Sequence, residues 1–115
     1  PPRSTLFPYT TLFRSTKVGT GAILGAGSMV SKDVPPYCNA TGDRARLHGL
    51  NLEGLRRRGV GKEKIEALKK AYRIIFRSRL KTSDAIVKVR QELSGYGEVD
   101  ELVIFVQNSQ RGICR

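Results

Sequence analysis

The chain has 115 residues, of which 39% are hydrophobic, 7% aromatic and 27% charged, and its formal net charge is +11. This composition is typical of a globular protein of one domain, or of part of a larger protein. No apolar run reaches the roughly 20 residues that cross a bilayer. One histidine and two cysteines cannot build a multi-cysteine zinc site or a disulfide framework. Membrane pores, zinc fingers and disulfide scaffolds are therefore excluded.

The opening segment differs from the rest of the chain. Thr-Leu-Phe occurs twice in it, at 5–7 and 11–13, and its short apolar stretch is broken by Pro8. No small-residue cleavage site follows, so the segment is a poor signal peptide. We interpret residues 1–15 as a non-native leader, of the kind that a translated sequencing adapter produces.

From residue 16 to residue 37, aliphatic residues recur every six positions. Val18, Leu24 and Val30 each open a similar unit, and glycine follows the first two. A helical period would scatter these positions around the axis, and strand alternation does not require the glycines. The pattern predicts short parallel strands joined by tight turns, with the aliphatic side chains inside a narrow prism. A glycine-rich loop with chance spacing remains an alternative.

One such coil is not stable alone, because each coil buries its face against the next. We therefore interpret residues 16–37 as the remnant of a β-helix of hexapeptide repeats, most of which would lie upstream. Val34-Pro-Pro-Tyr37 is predicted to end the repeat, since two prolines remove two ladder donors. Residues 38–48 are then a connector.

Helical spacing replaces the six-residue period in residues 49–115, which we predict to be a helical domain. A short helix is predicted to end at Gly59. Residues 61–77 carry apolar side chains in steps of three and four, which is the strongest helical pattern.

Two further helices follow in the same region. The third is predicted to start with Thr82 or Ser83 as N-cap and to place Asp84 in its first turn. The fourth is predicted over residues 99–108, although residues 103–106 taken alone also fit a strand. Gly95 and Gly97 separate the two.

Positive charge is concentrated in one part of the chain. Residues 42–90 contain 15 basic and 5 acidic side chains. Such a surplus attracts anions, whether nucleic acid, anionic lipid, a phosphorylated small molecule or an acidic carrier protein. Charge alone does not choose among them.

Five stretches together resemble the C-terminal portion of the bacterial UDP-N-acetylglucosamine acyltransferase family of lipid A biosynthesis. Residues 30–37 and 42–46 are generic to hexapeptide-repeat transferases, whereas Gly49-Leu-Asn-Leu-Glu-Gly-Leu-Arg-Arg-Arg-Gly59 is more particular to this family. Residues 71–78 and 109–115 also match its pattern. The resemblance covers residues 18–115. It implies the last coil of a left-handed parallel β-helix followed by a C-terminal α-helical domain.

The resemblance also implies an activity. Family members transfer a 3-hydroxyacyl group from acyl carrier protein to the 3-hydroxyl of UDP-N-acetylglucosamine, as cytoplasmic homotrimers, and we expect neither a cofactor nor a metal. Their base is a histidine inside the prism, whereas His48 lies beyond the coil. We therefore assign no catalytic residue and expect no turnover from this chain alone. Cys38 and Cys114 are expected to be reduced.

By the same resemblance, Asn51, Glu53, Arg57 and Arg58 match the family residues that contact UDP. Guanidinium groups pair bidentately with phosphate oxygens, and an amide or carboxylate can pair with ribose or uracil. A solvated helix end is the alternative for the arginines. Ala26 falls where the family varies a residue that lines the acyl pocket.

The remaining cations are predicted to form a docking face for the acidic acyl carrier protein, with plain solubility as the alternative. They are Lys62, Lys69, Lys70, Arg73, Arg77 and Arg79.

Three other functions stay open at this point. A small basic nucleic-acid-binding helical module fits the charge but leaves the six-residue period unexplained. A transferase for another sugar acceptor fits the coil. The helices could also serve in assembly between subunits.

Overall fold

Short strands come first along the chain and helices follow. The computed structural model describes residues 11–13, 16–25, 27–28, 30–42, 44–109 and 112–115. The strands are β1 (Thr11–Phe13), β2 (Thr16–Val18), β3 (Ile23–Leu24), β4 (Cys38–Thr41) and β5 (Arg46–Leu50). The helices are α1 (Leu52–Arg57), α2 (Lys62–Tyr72), a π-helix (Arg73–Arg77), α3 (Thr82–Glu92) and α4 (Gly97–Asn108). Within the described residues, no helix combines the length and apolarity that crossing a membrane requires.

The predicted coil is present, and it closes after fewer residues than three six-residue units need. Val18 forms a parallel bridge with Val34, and Leu24 pairs in parallel with Ala40, so one winding takes 16 residues. The six-residue step is kept along the side that runs from Val18 to Leu24, and the rest of the winding is shortened. Val18, Leu24 and Val30 all pack against the core, as the period predicted.

Parallel pairing continues beyond the two prolines, so the predicted exit at Val34-Pro-Pro-Tyr37 lies too early. The prolines lead into a turn that contains Tyr37, whose φ is 64°. The Tyr37 N–H donates to the Thr20 carbonyl at 2.8 Å, and β4 then pairs with β3. Only after β4 does the chain fold back as β5, which pairs antiparallel with β4.

The C-terminal tail returns to the coil at Asp33. The Asp33 N–H donates to the Gly112 carbonyl and the Cys114 N–H donates to the Asp33 carbonyl, both at 2.9 Å. The buried Asp33 carboxylate accepts from the Lys17 N–H at 2.8 Å and from the Ser109 hydroxyl at 2.6 Å. Hydrogen bonds of Asp33 therefore join two segments that carry the family resemblance, residues 30–37 and 109–115.

The helices form the other half of a core shared with the coil. Ile65, Leu68, Ile86, Val89, Leu102 and Val103 belong to the same buried cluster as the coil residues Val34, Cys38 and Ala40. Gly59, with φ of 76°, follows the end of α1 as predicted. The cap of α3 is Lys81, one residue before the predicted position. Residues 103–106 are helical, as part of α4.

The predicted helix over residues 61–77 begins as α-helix and ends as π-helix. A π-helix joins residues i and i+5 by backbone hydrogen bonds, which widens the turn. Arg77 accordingly lies over the Tyr72 ring, with its guanidinium carbon 5.1 Å from the ring centre, and donates to the Tyr72 hydroxyl at 2.7 Å. The same guanidinium donates to the Leu47 carbonyl at 2.9 Å, which fastens this helix end to β5.

At the start of the described chain, β1 pairs antiparallel with β2. The rest of residues 1–15 lies outside the described residues, and their interpretation as a non-native leader stays a prediction.

Candidate functional site

Asn51 ties the start of α1 to the coil. Its side-chain oxygen accepts from the Gly54 N–H at 3.1 Å, and its side-chain nitrogen donates to the Gly21 carbonyl at 3.0 Å. The first bond caps the helix, because it satisfies a backbone donor of the first turn. A Cβ at Gly54 would clash with the Asn51 amide, so this spacing of asparagine and glycine has a local reason.

Glu53 and Arg57 form an exposed ion pair along α1. Arg57 Nη2 donates to Glu53 Oε1 at 2.6 Å, and the two side chains are 74% and 78% exposed. A pair this exposed contributes about 0.3–0.5 kcal/mol to stability. Either partner can therefore exchange the other for a ligand group at small cost.

Arg58 is the C-cap of α1, and its guanidinium lies near Gly21 of the coil. Its N–H donates to the Gly54 carbonyl at 3.0 Å, and its side chain is exposed. Unlike Arg57, it forms no ion pair with any carboxylate of the described residues. Its Nε would lie 3.3 Å from a Cβ placed on Gly21, the glycine that Asn51 contacts.

Tyr37 borders the same glycine, although nothing in its sequence position predicted a part in the site. Its ring would lie 2.8 Å from a Cβ on Gly21, and its carbonyl accepts from the Asn51 N–H at 2.6 Å. Its hydroxyl donates to Glu101 on α4, also at 2.6 Å. Burial, followed by the Glu101 hydrogen bond, raises the pKa of Tyr37, while the positive charge of Arg58 acts in the opposite direction.

The structure thus brings the four predicted nucleotide contacts onto one short helix and its cap. Two adjacent guanidinium groups, an anchored amide and an exposed carboxylate lie within Asn51–Arg58. This set offers donors for phosphate oxygens and an acceptor for hydroxyl or imide groups. It is chemically suited to a nucleoside diphosphate.

Ala26 and His48 are the other positions that the sequence brought into consideration. Ala26 lies outside the described residues. His48 is exposed on β5, between the buried Leu47 and Gly49. Across the described part of the chain, no group of three His, Cys, Asp or Glu side chains is placed to hold a metal.

Members of the predicted docking face differ in how far they are engaged within the chain. Arg77 is exposed, but its guanidinium already donates to the Tyr72 hydroxyl and the Leu47 carbonyl. Lys70 pairs with Glu92 at 2.9 Å, and Lys69 pairs with Glu66 at 3.4 Å. The exposed members without a described ion pair are Lys62, Arg73 and Arg79.

A cavity of about 660 Å³ shares no lining residue with α1. The cations along it are Lys32, Arg44, Arg46 and Arg115, and none of its described lining residues is acidic. The Arg115 guanidinium donates to the Ile75 carbonyl at 3.3 Å and to the Thr82 hydroxyl at 2.9 Å. The docked tail therefore forms part of the cavity wall.

Known proteins resemble this chain in sequence and in structure. A family described as Udp N-acetylglucosamine O-acyltransferase, Domain 2, matches residues 33–114. The acyl-[acyl-carrier-protein]–UDP-N-acetylglucosamine O-acyltransferase of Myxococcus xanthus is 51% identical over 100 residues, which cover 87% of this chain and 39% of that protein. The enzyme of the same name from Trichlorobacter lovleyi is 54% identical over 92 residues, covering 77% and 35%.

The crystal structure of a UDP-N-acetylglucosamine acyltransferase from Bacteroides fragilis superposes with a TM-score of 0.85 at 42% identity. The match covers 90% of this chain and 41% of that one. The predicted fold class is thereby confirmed, as the end of a left-handed parallel β-helix followed by a helical domain. The chain spans less than half the length of the relatives it matches. It belongs to the UDP-N-acetylglucosamine O-acyltransferase family.

Proposed function

We propose that this chain is the nucleotide-binding, C-terminal part of an acyltransferase. The complete enzyme would move a 3-hydroxyacyl group from acyl carrier protein to the 3-hydroxyl of UDP-N-acetylglucosamine, the first step of lipid A biosynthesis. Family membership supports the reaction, since the relatives that match 87% and 77% of the chain carry that name. The surface of α1 supports the part that this chain would play.

The observation that carries the nucleotide assignment is the pair of adjacent exposed guanidiniums at the end of α1. Arg58 has no ion-pair partner among the described residues, and Arg57 has only the solvated Glu53. A diphosphate offers both of them charge-assisted hydrogen bonds. When Arg57 turns to phosphate, the Glu53 carboxylate becomes able to accept from ribose or uracil.

Asn51 contributes as an anchor and as a donor. Its amide nitrogen carries two hydrogens, and one of them is directed to the Gly21 carbonyl. The second can serve the ligand while the first holds α1 against the coil. The site would therefore hold the nucleotide at a fixed distance from the prism, where the acyl transfer takes place.

The transfer itself needs groups that we do not assign to this chain. A base removes the proton of the sugar hydroxyl, the oxygen attacks the thioester carbonyl, and the carrier leaves as its thiol once the carbon–sulfur bond breaks. A donor stabilises the oxyanion in between. His48 is exposed on β5. We therefore expect no turnover from this chain alone.

Three further features belong to the same proposal. Lys62, Arg73 and Arg79 would attract the acidic carrier protein, and a KM for the carrier that rises with salt would support this, whereas a flat dependence would contradict it. The complete protein would be a cytoplasmic homotrimer. Ala26 would limit the length of the acyl chain.

Titration of the chain with UDP tests the nucleotide assignment. Replacing Arg57 or Arg58 by alanine should weaken binding by about tenfold, the equivalent of about 1.4 kcal/mol. Arg79→Ala removes an exposed cation outside the motif and serves as the matched control. Equal affinities for all four proteins, or tighter salt-sensitive binding of DNA than of UDP, would contradict the proposal.

A further inference from the structure

Two acidic side chains of α4 lie near Tyr37, the residue that borders Gly21 together with Arg58. Glu101 accepts from the Tyr37 hydroxyl at 2.6 Å, and Glu98 lies 3.9 Å from the Lys64 ammonium group. Glu101 therefore already has a hydrogen-bond partner, whereas the second oxygen of Glu98 is buried without one among the described residues. Arg58 has no ion-pair partner among the described residues. The negative charges of both carboxylates raise the pKa of Tyr37, and the positive charge of Arg58 lowers it.

Tyr37 is fixed where it meets both Glu101 and the glycine beside Arg58. Its backbone has φ of 64°, a left-handed conformation that residues other than glycine rarely adopt. Two backbone bonds hold it there, from its N–H to Thr20 and from Asn51 to its carbonyl. The residue is only 6% exposed, so its hydroxyl has little choice of partner.

Glu101 would otherwise compete with the ligand for Arg58. An unpartnered, half-buried carboxylate attracts a neighbouring cation. Arg58 is such a cation, because its Nε and the Tyr37 ring both lie against the Cβ position of Gly21. An internal ion pair between Glu101 and Arg58 would neutralise the guanidinium that the diphosphate needs. The Tyr37 hydroxyl satisfies the carboxylate without using a positive charge.

We propose that Tyr37 is a positioning residue of the nucleotide site, whose hydroxyl occupies Glu101 and so keeps Arg58 available for the diphosphate. This inference rests on the proposed function. It adds two residues that lie 64 positions apart, on the coil and on α4. Tyr37 itself does not contact the nucleotide in this arrangement.

The test is a calorimetric UDP titration of the full chain, with thermal unfolding measured on every variant. Tyr37→Phe should raise the Kd for UDP about three- to fivefold, because Glu101 then competes for Arg58. Adding Glu101→Gln to that variant should restore the Kd to within about twofold of wild type. Tyr96→Phe is the matched control, since it breaks a second phenol–carboxylate bond, to Glu63, that does not involve Arg58.

The double variant separates positioning from folding. It lacks the hydrogen bond between α4 and the coil just as Tyr37→Phe does, so recovered binding would not reflect recovered stability. If Tyr37→Phe leaves the Kd unchanged while Arg58→Ala raises it, the inference fails and the nucleotide site stands. Weakened binding that Glu101→Gln does not restore also overturns the inference. If wild type fails to bind UDP, or Arg58→Ala has no effect, the site and the inference fail together.

Discussion

Replacing Asp33 by alanine should detach the C-terminal tail from the coil. The carboxylate is 2% exposed and accepts one hydrogen bond from the Lys17 backbone and one from the Ser109 hydroxyl. A hydrogen bond to a charged group contributes about 1.5–3 kcal/mol. The loss of two such bonds should cost about 3–6 kcal/mol. That is a large share of the roughly 5–15 kcal/mol by which a domain is stable.

Asparagine at the same position is the informative comparison. Its oxygen can still accept from the Lys17 N–H, and its NH2 group can donate to the Ser109 oxygen, so both bonds survive without the charge. We expect a loss of about 1–2 kcal/mol for Asp33→Asn. Ser109→Ala removes only one of the two bonds and should fall between these variants.

Urea unfolding followed by circular dichroism gives the free energies. Hydrogen exchange at the Cys114 N–H, which donates to the Asp33 carbonyl, reports on the tail directly. Asp33→Ala should accelerate this exchange more than exchange at Leu68, which lies in α2 away from the tail. If alanine and asparagine cost the same, or if exchange at Cys114 does not respond, the carboxylate does not hold the tail.

Three further predictions concern the helix end and the coil. Arg77→Ala should lower the free energy of unfolding by about 1.5–3 kcal/mol in urea titrations, because two internal acceptors lose a charged donor. An unchanged midpoint would show that these two hydrogen bonds do not stabilise the fold. Gly21→Ala should lower the melting temperature and weaken UDP binding more than Gly27→Ala does. Both glycines have positive φ, but only at Gly21 would a Cβ meet a neighbouring side chain, so equal effects would contradict a steric cause. Burial and the Glu101 hydrogen bond raise the pKa of Tyr37 above its ordinary 10.0. The stability gained from its neutral form is therefore present below pH 10 and lost as the pH rises beyond it, and Tyr37→Phe should flatten the decline in melting temperature between pH 9 and 11.

The regular elements were predictable wherever a local period existed. The apolar steps of three and four gave α2 and α3, and they gave α4 once Val99 and Leu102 were taken together with residues 103–106. The contact between Tyr72 and Arg77 escaped prediction, because a spacing of five matches no α-helical stripe. Arg77 therefore looked like one more surface cation.

The coil shows the limit of a local rule. Its six-residue step predicted that Val18, Leu24 and Val30 face the core. The two prolines suggested that the parallel pairing ends there, because proline has no N–H to donate. Both prolines lie outside the paired residues of β3 and β4, so their missing N–H groups interrupt no pairing. Whether proline ends a sheet depends on where its nitrogen points, which the sequence does not state.

Only part of the candidate site was predictable from the sequence. Its four proposed contacts lie within eight consecutive residues, Asn51–Arg58, and a short motif identifies them. Tyr37 and Glu101 are joined only by the packing of α4 against the coil, and nothing in either local sequence indicates the other.

The π-helical segment makes the fold sensitive to insertions and deletions at one particular place. Removing a single residue there would let the turn rewind as ordinary α-helix and rotate the downstream residues by about 100° around the axis. The guanidinium that now spans Tyr72 and Leu47 would swing away from both. Natural variation and protein engineering must therefore conserve the number of residues between Tyr72 and Ser78 to keep this end of the helix in place.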